Sequence, residues 1–274
     1  MPKGLNSVIV GKICNVKTIV SVIGGIVEIT TSLPFARFWE YVNIRMLKSC
    51  SAATTTGSKV ENYLVTKGVA AKKLFVYPGC IETKIFNVVE TVEKDIDILF
   101  VGTFRNLKGP DRVLKVIHNL VQEGLSIKAS FLGTGYLFEE VKQTIISLNL
   151  QDYVTLHGYI NDPSPYFKRS RLLLMPSRSE GLPMAMLEAM ASGCVPIVSN
   201  VGNISDAAMD KINAALVEDY LDIDSFTKNA RVLLVNDSLR DKMSMQAVKT
   251  VQDNYIPGKQ AEVIKKMFTY MGFN

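Results

Sequence analysis

The stretch Pro176-Ser-Arg-Ser-Glu-Gly-Leu-Pro-Met-Ala-Met-Leu-Glu-Ala-Met-Ala-Ser-Gly193 places two carboxylates eight positions apart. The first, Glu180, follows an apolar run at residues 172–175 and is therefore expected in a loop after a strand. Pro183 suits the first turn of the next helix, because the N–H that proline lacks has no partner there. Glu188 lies further along that helix. Both acids are therefore expected to face one crevice at the carboxyl end of the strand, where open parallel sheets bind ligands.

This stretch resembles the Glu-x7-Glu motif of the retaining glycosyltransferases of family four, which have the GT-B fold. The resemblance implies that Glu180 contacts the transferred sugar and that Glu188 holds the ribose of the nucleotide. From the residues alone, free backbone N–H groups around Gly181 and Leu182 suit a phosphate at the start of a helix. The alternative is an amphipathic helix that carries two exposed acids. The flanking Gly-Leu-Pro and Glu-Ala-Met-Ala-Ser-Gly segments favour the functional interpretation.

The composition is that of an ordinary globular protein with a mild basic excess. A length of 274 residues suits one large domain or two modest ones, and 47% hydrophobic and 21% charged residues allow a substantial core. The net charge of +5, from 31 basic and 26 acidic residues, favours anionic partners such as nucleotide sugars or lipid headgroups. Because no Lys/Arg block is long enough, we expect no nucleic-acid partner.

The cysteine pattern and hydropathy predict a cytoplasmic protein. Four scattered cysteines without a Cys-x-x-Cys pair favour a reducing compartment. The sequence shows neither a signal-peptide core nor an apolar run of membrane-spanning length. The apolar stretch Val16 to Val27 is interpreted as a buried strand and turn. Residues 259–273 have one apolar face, so two alternatives stay open: a helix at the membrane surface, or the packing onto the N-terminal part that the resemblance implies.

Beyond residue 95, apolar segments alternate with helical patterns. Strands are predicted at 97–102, 127–133, 154–158, 171–175, 195–199 and 212–217. Helices are predicted at 110–123, 136–149, near Tyr166, at 183–192 and through the remainder to Phe273. This alternation predicts βαβ units and a parallel sheet, hence an α/β fold. With the resemblance, it implies a GT-B-like architecture of two Rossmann-like domains, of which the N-terminal one is incomplete.

Three segments are expected on this basis. Residues 1–90 form a partial, acceptor-side domain, 91–253 form the nucleotide-sugar-binding domain, and 254–274 form the returning C-terminal helix. Segment 76–86, Val-Tyr-Pro-Gly-Cys-Ile-Glu-Thr-Lys-Ile-Phe, resembles the interdomain signature of the family. The charge-rich residues 90–95 are interpreted as the linker.

Residues 1–90 repeat the α/β rhythm only in part. The predicted elements are helices near 4–13, 35–49 and 58–67 and strands near 17–23, 52–55 and 74–77. Ile23-Gly24 stands where the family tends to place a His-Gly pair. An incomplete sheet leaves an edge whose unpaired backbone groups invite another chain. A partner chain that completes this domain is therefore expected if the chain does not act alone.

The segment Phe100-Val-Gly-Thr-Phe-Arg-Asn-Leu-Lys-Gly109 ends a predicted strand and opens a helix. Two cations, Arg105 and Lys108, at the carboxyl end of a strand suit a diphosphate. The segment resembles the phosphate-binding turn of the family, including Gly102, and this implies that both cations stabilise the departing diphosphate. The alternative is that they are solvated loop charges.

Two further loops are candidates for nucleotide contact. Gly133 and Gly135 form a Gly-x-Gly after a strand, but Phe138 stands where a dinucleotide fingerprint requires a third glycine, which argues against a Rossmann dehydrogenase. The resemblance implies that both glycines approach the donor nucleotide, whereas a tight turn is the plain alternative. It also implies that Tyr159 or the backbone of Ile160 contacts the nucleobase.

No metal site is expected. The two histidines, His118 and His157, are far apart in sequence, and no Cys or Asp cluster joins them. The Asp-x-Asp pairs at 95–97 and 222–224 precede a strand and open a helix, so they are interpreted as structural.

These patterns predict a glycosyltransferase that moves a sugar from a nucleotide-diphosphate sugar to an acceptor hydroxyl with retention of configuration. The donor is a substrate, a UDP-sugar in the first place, and no cofactor is expected. The expected acceptor is a saccharide or a lipid-linked saccharide. The alternative is a non-catalytic or half-enzyme subunit that binds the donor and needs a partner chain.

Overall fold

In the computed structural model, the chain is described over residues 4–23, 35–89 and 91–273, and its strands form two parallel sheets. The first sheet has the order β1-β2-β3, with β1 at Ile19–Val22, β2 at Ala52–Thr55 and β3 at Leu74–Val76. The second has the order β6-β5-β4-β7-β8-β9. Its strands are β4 Ile96–Val101, β5 Ala129–Leu132, β6 Val154–Gly158, β7 Ser170–Met175, β8 Val195–Ser199 and β9 Ala215–Val217.

Helices cover both faces of the second sheet. The described helices are Leu5–Ile13, Ala36–Ser49, Ser58–Thr66, Pro110–Gln122, Phe138–Ser147, Ser164–Arg169, Met184–Ala191, Ile223–Val235, Asp237–Asn254 and Pro257–Tyr270. The predicted α/β fold with parallel sheets is confirmed. Of the predicted strands, 212–217 begins too early, because residues 209–214 form a turn that Asn213 closes by accepting the Met209 N–H and donating to the Ala207 carbonyl.

Successive residues of the central strands point into two different cores. Leu172 and Leu174 of β7 pack with helix Pro110–Gln122, whereas Leu173 packs with helix Met184–Ala191 on the opposite face. This arrangement explains why the strands read as continuous apolar runs, since a parallel sheet covered on both faces needs apolar residues at every position. Each fully buried Leu contributes about 1.5–3 kcal/mol relative to exposure.

The strand order reverses between β4 and β7. These two central strands are parallel neighbours, with Ile98 opposite Leu172 and Leu99 opposite Leu173. The loops that leave their carboxyl ends therefore diverge to opposite faces and leave a crevice between them, as in other doubly wound sheets. The loop 102–109 follows β4 and the loop 176–183 follows β7, so both predicted site segments meet at this crevice.

The first sheet has an exposed edge at β1. No described strand pairs with the free side of β1. The predicted strand forms at Ile19–Val22, but only Val20 in it is buried, and Ile19 and Ile23 are 40% and 78% exposed. The prediction of burial along the whole stretch from Val16 is therefore wrong for the described residues, and residues 24–27, with Gly24 of the Ile23-Gly24 pair, lie outside them. The partner chain expected at this edge stays a prediction.

The C-terminal helix Pro257–Tyr270 returns to the first sheet. Its residue Met267, with Met271 just beyond it, is buried against Ala52 of β2 and Phe75 of β3. The Lys17 ammonium donates to the Met271 carbonyl and lies over the Phe273 ring. No helix in the described parts of the chain has the length and apolar character needed to cross a membrane. The exact domain boundaries near 90 and 253 stay a prediction.

A second connection joins the N-terminus of helix Ser58–Thr66 to the loop after β8. The Asp206 carboxylate accepts the Ser58 N–H at 2.6 Å and the Ser58 hydroxyl at 2.5 Å. The Asn203 side-chain oxygen accepts the Lys59 N–H at 3.1 Å. Asn203 and Asp206, which follow a strand of the second sheet, thus cap a helix that belongs with the first sheet. They satisfy N–H groups that lack partners within the helix.

Candidate functional site

A buried ion pair lies at the centre of the crevice. The Lys108 Nζ is 2.6 Å from Oε1 and 2.7 Å from Oε2 of Glu180, so one ammonium binds both carboxylate oxygens. The Glu180 side chain is 6% exposed and that of Lys108 is 28% exposed. A carboxylate so far from water requires a cation, because an unpaired buried charge is costly. The two residues that sequence motifs selected separately are therefore direct partners.

A tight turn presents Lys108. The Arg105 carbonyl accepts the N–H groups of Lys108 and Gly109, at 2.9 and 3.2 Å, and helix Pro110–Gln122 begins directly after this turn. The Arg105 side chain is exposed and makes no hydrogen bond or ion pair with any group in the described part of the chain. It lies in the same turn as Lys108, and its predicted contact with a diphosphate stays a prediction.

The loop after Glu180 offers backbone donors. The N–H groups of Gly181 and Leu182 donate to no acceptor among the described residues, and helix Met184–Ala191 begins two positions later. The Leu182 side chain is buried in the core, and the Asn203 N–H donates to the Gly181 carbonyl at 2.9 Å. The loop is therefore fixed while its amides stay available. This arrangement suits an anionic oxygen.

Glu188 lies in the middle of helix Met184–Ala191 without a partner. Its carboxylate accepts no hydrogen bond from the residues that the structure describes, and burial raises its pKa above the ordinary value. A half-buried carboxylate is acceptor-only when ionised, so it suits a ligand that brings hydroxyl donors. The structure does not place Glu188 in contact with the Lys108–Glu180 pair.

Gly102, Gly133 and Gly135 lie where two loops touch. Gly133 has a φ of +131°, and a Cβ there would overlap the Gly102 carbonyl. A Cβ on Gly135 would overlap the Phe104 carbonyl. Close packing of the β4 and β5 loops thus already requires both glycines, in agreement with the tight-turn alternative. Their approach to a nucleotide stays a prediction.

The loop after β6 contributes exposed side chains. Tyr159 is 74% exposed, and Ile160 is partly buried against the core beneath the crevice. Their predicted contact with a base is not tested. His157 lies between the Ser130 hydroxyl and the Tyr166 hydroxyl, at 3.2 and 3.3 Å. Burial, with the nearby Arg169 charge, lowers the pKa of His157 and so favours its neutral form.

Two groups that sequence reasoning missed support the site. Arg112 is buried under the crevice, and Asn203 is fully buried between the Gly181 loop and helix Ser58–Thr66. Only Arg112 left a signal, since it interrupts the apolar face of an amphipathic helix. Asn203 acts through tertiary contacts that a sequence pattern does not contain. Within residues 4–23, 35–89 and 91–273, no three His, Cys, Asp or Glu residues form a metal-binding group.

Two parallel sheets, with a basic turn and free amides at the carboxyl edge of the second, define the GT-B class of α/β proteins. Two solved structures support this fold. A crystal structure of Anabaena Alr3699/HepE in complex with UDP aligns with a TM-score of 0.84 at 11% identity, covering 97% of this chain and 75% of that one. A crystal structure of TarM aligns with a TM-score of 0.81 at 17% identity, covering 94% of this chain and 50% of that one.

The family of the chain follows from the sequence that forms the second sheet and its helices. The model of the family "Glycosyl transferases group 1" matches residues 81–250, more than half of the chain, and the chain therefore belongs to this family. The matched region contains the Lys108 turn, the Glu180 loop and Glu188. The resemblance that the motifs indicated is confirmed.

Two curated relatives of the chain are transferases by name. It is 29% identical over 158 residues to the UDP-Gal:alpha-D-GlcNAc-diphosphoundecaprenol alpha-1,3-galactosyltransferase of Escherichia coli, covering 57% of this chain and 40% of that protein. It is 27% identical over 208 residues to the poly(glycerol-phosphate) alpha-glucosyltransferase of Bacillus subtilis, covering 73% and 30%. The chain thus spans less than half the length of these two relatives.

A double-mutant cycle tests the buried ion pair. Lys108→Met leaves a buried carboxylate without its cation, so we expect the free energy of unfolding at pH 7 to fall by about 1–3 kcal/mol. In Lys108→Met/Glu180→Gln the loss should be smaller, because no unpaired charge remains. Urea denaturation of the four proteins measures the coupling, expected at about 0.5–3 kcal/mol. Strictly additive effects would show that the two residues do not interact.

Glu188 should destabilise the free protein at neutral pH. Its folded-state pKa is raised, so the folded state holds a proton more tightly than the unfolded state, and stability falls as pH rises from about 4.5 through the folded-state pKa. Glu188→Gln should therefore melt at a higher temperature than the wild type at pH 7. The difference should vanish below pH ~4, where both forms are neutral. A lower melting temperature for Glu188→Gln at pH 7 contradicts this assignment.

Proposed function

We propose that the chain binds a nucleotide-diphosphate sugar, a UDP-sugar in the first place, and transfers the sugar to an acceptor hydroxyl with retention of configuration. The observation that carries the proposal is the buried Lys108–Glu180 pair at the strand-order reversal, next to the free amides of Gly181 and Leu182. These groups supply cationic and amide donors for a diphosphate beside a carboxylate for sugar hydroxyls.

Donor binding divides the ion pair between two parts of the ligand. The diphosphate takes the Lys108 ammonium, which has three donors, and the exposed Arg105 guanidinium adds a second cation. The Glu180 carboxylate then accepts hydrogen bonds from the sugar hydroxyls. Glu188, which has no hydrogen-bond partner among the described residues, accepts the ribose hydroxyls.

The transfer step needs little acid–base chemistry from these residues. The bond between the anomeric carbon and the diphosphate oxygen breaks, and the acceptor oxygen bonds to the same carbon from the same face. The acceptor proton moves to the departing phosphate oxygen. Lys108, Arg105 and the amides of Gly181 and Leu182 stabilise the negative charge that develops on that oxygen. The amides of Gly181 and Leu182 belong to a loop that is already held in place, so they supply their share of this stabilisation without reorganisation.

The comparisons support a UDP-sugar and a saccharide or lipid-linked acceptor. The E. coli relative is named for UDP-Gal and for a GlcNAc-diphosphoundecaprenol acceptor, and the Anabaena structure contains UDP. We extend the base and the acceptor class to this chain as part of the proposal. The transferase names of the relatives favour the enzyme over the non-catalytic alternative.

Nucleotide binding can be measured by thermal melting with UDP, GDP and ADP. A nucleotide at 100 times its dissociation constant should stabilise the chain by about 2.7 kcal/mol. We expect UDP to give the largest rise in melting temperature. Glu188→Ala should lose this rise, because the carboxylate that accepts the ribose hydroxyls is absent. The matched control Glu262→Ala removes an exposed acid of the C-terminal helix and should keep the shift. A folded wild type that no nucleotide stabilises contradicts the proposed donor site.

The stereochemistry can be measured without knowledge of the acceptor. Slow hydrolysis of UDP-glucose or UDP-galactose, with water in place of the acceptor, releases a sugar whose anomer is visible by NMR before it equilibrates. Because attack occurs on the face that the diphosphate leaves, the α-anomer should appear first. Glu180→Gln should abolish the release, since the sugar loses its carboxylate partner. Initial release of the β-anomer would overturn the retaining mechanism.

A further inference from the structure

Arg112 joins the two loops that carry the ion pair. It is 7% exposed and lies in the first turn of helix Pro110–Gln122. Its Nε donates to the Pro176 carbonyl at 2.9 Å, and a terminal nitrogen donates to the Asn106 carbonyl at 2.7 Å. Asn106 lies two residues before Lys108, and Pro176 directly follows β7 on the way to Glu180. One rigid guanidinium therefore connects the loop after β4 with the loop after β7.

The surroundings of Arg112 fix its guanidinium in this position. The Tyr220 ring, from the loop after β9, lies 5.1 Å from the guanidinium carbon, and the Asp111 carboxylate is 3.9 Å from a terminal nitrogen. Gly109 has a φ of +70°, and a Cβ there would overlap the guanidinium. Position 109 thus favours glycine for two reasons: its backbone is in the left-handed region, and the Arg112 side chain packs directly against it.

Few other interactions hold the two loops together. Besides the Lys108–Glu180 pair, the described hydrogen bonds between them are those of Arg112 and one backbone bond, from the Arg178 N–H to the Leu107 carbonyl at 2.8 Å. A donor that takes Lys108 away from Glu180 removes the ion pair. The connection through Arg112 involves only backbone carbonyls, so it persists when the ion pair opens.

We propose that Arg112 is a positioning residue, which keeps Lys108 and Glu180 at a fixed separation while the donor enters between them. This inference rests on the proposed function. Arg112 acts through the two loop carbonyls and does not touch the ligand. Its planar fork binds two carbonyls at once, which a single ammonium reproduces only in part. A merely structural role predicts lost stability with an unchanged site, whereas a positioning role predicts a changed site in protein that is still folded.

The test compares Arg112→Met and Arg112→Lys with the wild type and with Arg171→Met. Arg171 is a matched control, because it is a partly buried arginine that pairs with Asp97 at 2.9 Å near the opposite end of β7. Two readouts are taken on folded protein. They are the UDP dissociation constant by calorimetry and the rate at which a succinimidyl ester acetylates Lys108, followed by peptide mass spectrometry.

We expect Arg112→Met to weaken UDP binding about 10-fold or more, because a displaced loop misplaces Lys108. Acetylation of Lys108 should accelerate, since its ammonium is no longer held on Glu180. Arg112→Lys should recover part of both properties. Arg171→Met should stay within about twofold of the wild type, as a substitution remote from the site.

An Arg112→Met protein that is folded and keeps both wild-type UDP affinity and wild-type Lys108 acetylation overturns the proposal. If Arg112→Met does not fold, Arg112→Lys and Tyr220→Leu, which removes only the ring over the guanidinium, decide by the same readouts. If the wild type binds no UDP, the proposed function fails by itself. The acetylation rates then still decide whether Arg112 positions Lys108.

Discussion

The burial of the Glu180 carboxylate depends on the presence of a cation beside it. This carboxylate is almost fully withdrawn from water at the end of the central strand β7, and the only favourable state for an ionised group there is a paired one. The partner, Lys108, comes from the loop after β4. The ion pair therefore forms only when β4 and β7 are neighbours, so the strand order, the tight turn at 105–109 and the burial of Glu180 depend on one another.

Because Lys108 must lie beside Glu180, the loops that form the crevice are closely packed. Gly133 and Gly135 allow the β5 loop to touch the β4 loop, and Arg112 holds the β4 loop against the β7 loop. Asn203 continues this support, because its backbone N–H holds the Gly181 carbonyl while its side chain caps helix Ser58–Thr66 of the first unit. The position of the free amides after Glu180 is thus linked to both halves of the chain.

The sequence predicted the positions of most elements because its apolar runs are bounded by clear turn residues. The predicted strand from residue 212 begins too early, since Asn213 closes a local turn by side-chain bonds that an apolar pattern cannot reveal. Lys108 and Glu180 could be selected from their motifs, but their pairing could not, because it follows from the strand order. Arg112 was overlooked although a charge on an apolar helix face is a visible signal. The contact of Asn203 with Lys59 joins distant parts of the chain and had no sequence signal.

In the free protein, the Glu180 carboxylate is paired with a cation, whereas the Glu188 carboxylate has no partner among the described residues. This difference bears on which ligand the crevice binds. Glu180 is neutralised by Lys108, so a ligand reaches it only by offering Lys108 a stronger anionic partner, which a diphosphate does and a neutral sugar does not. Glu188 has no partner among the described residues and its burial disfavours the ionised form, so a hydrogen bond from a hydroxyl would stabilise the carboxylate there. A ligand that joins a diphosphate to a ribose offers a partner to both groups at once, which neither a free sugar nor inorganic phosphate does. This contrast supports the proposed nucleotide-diphosphate donor.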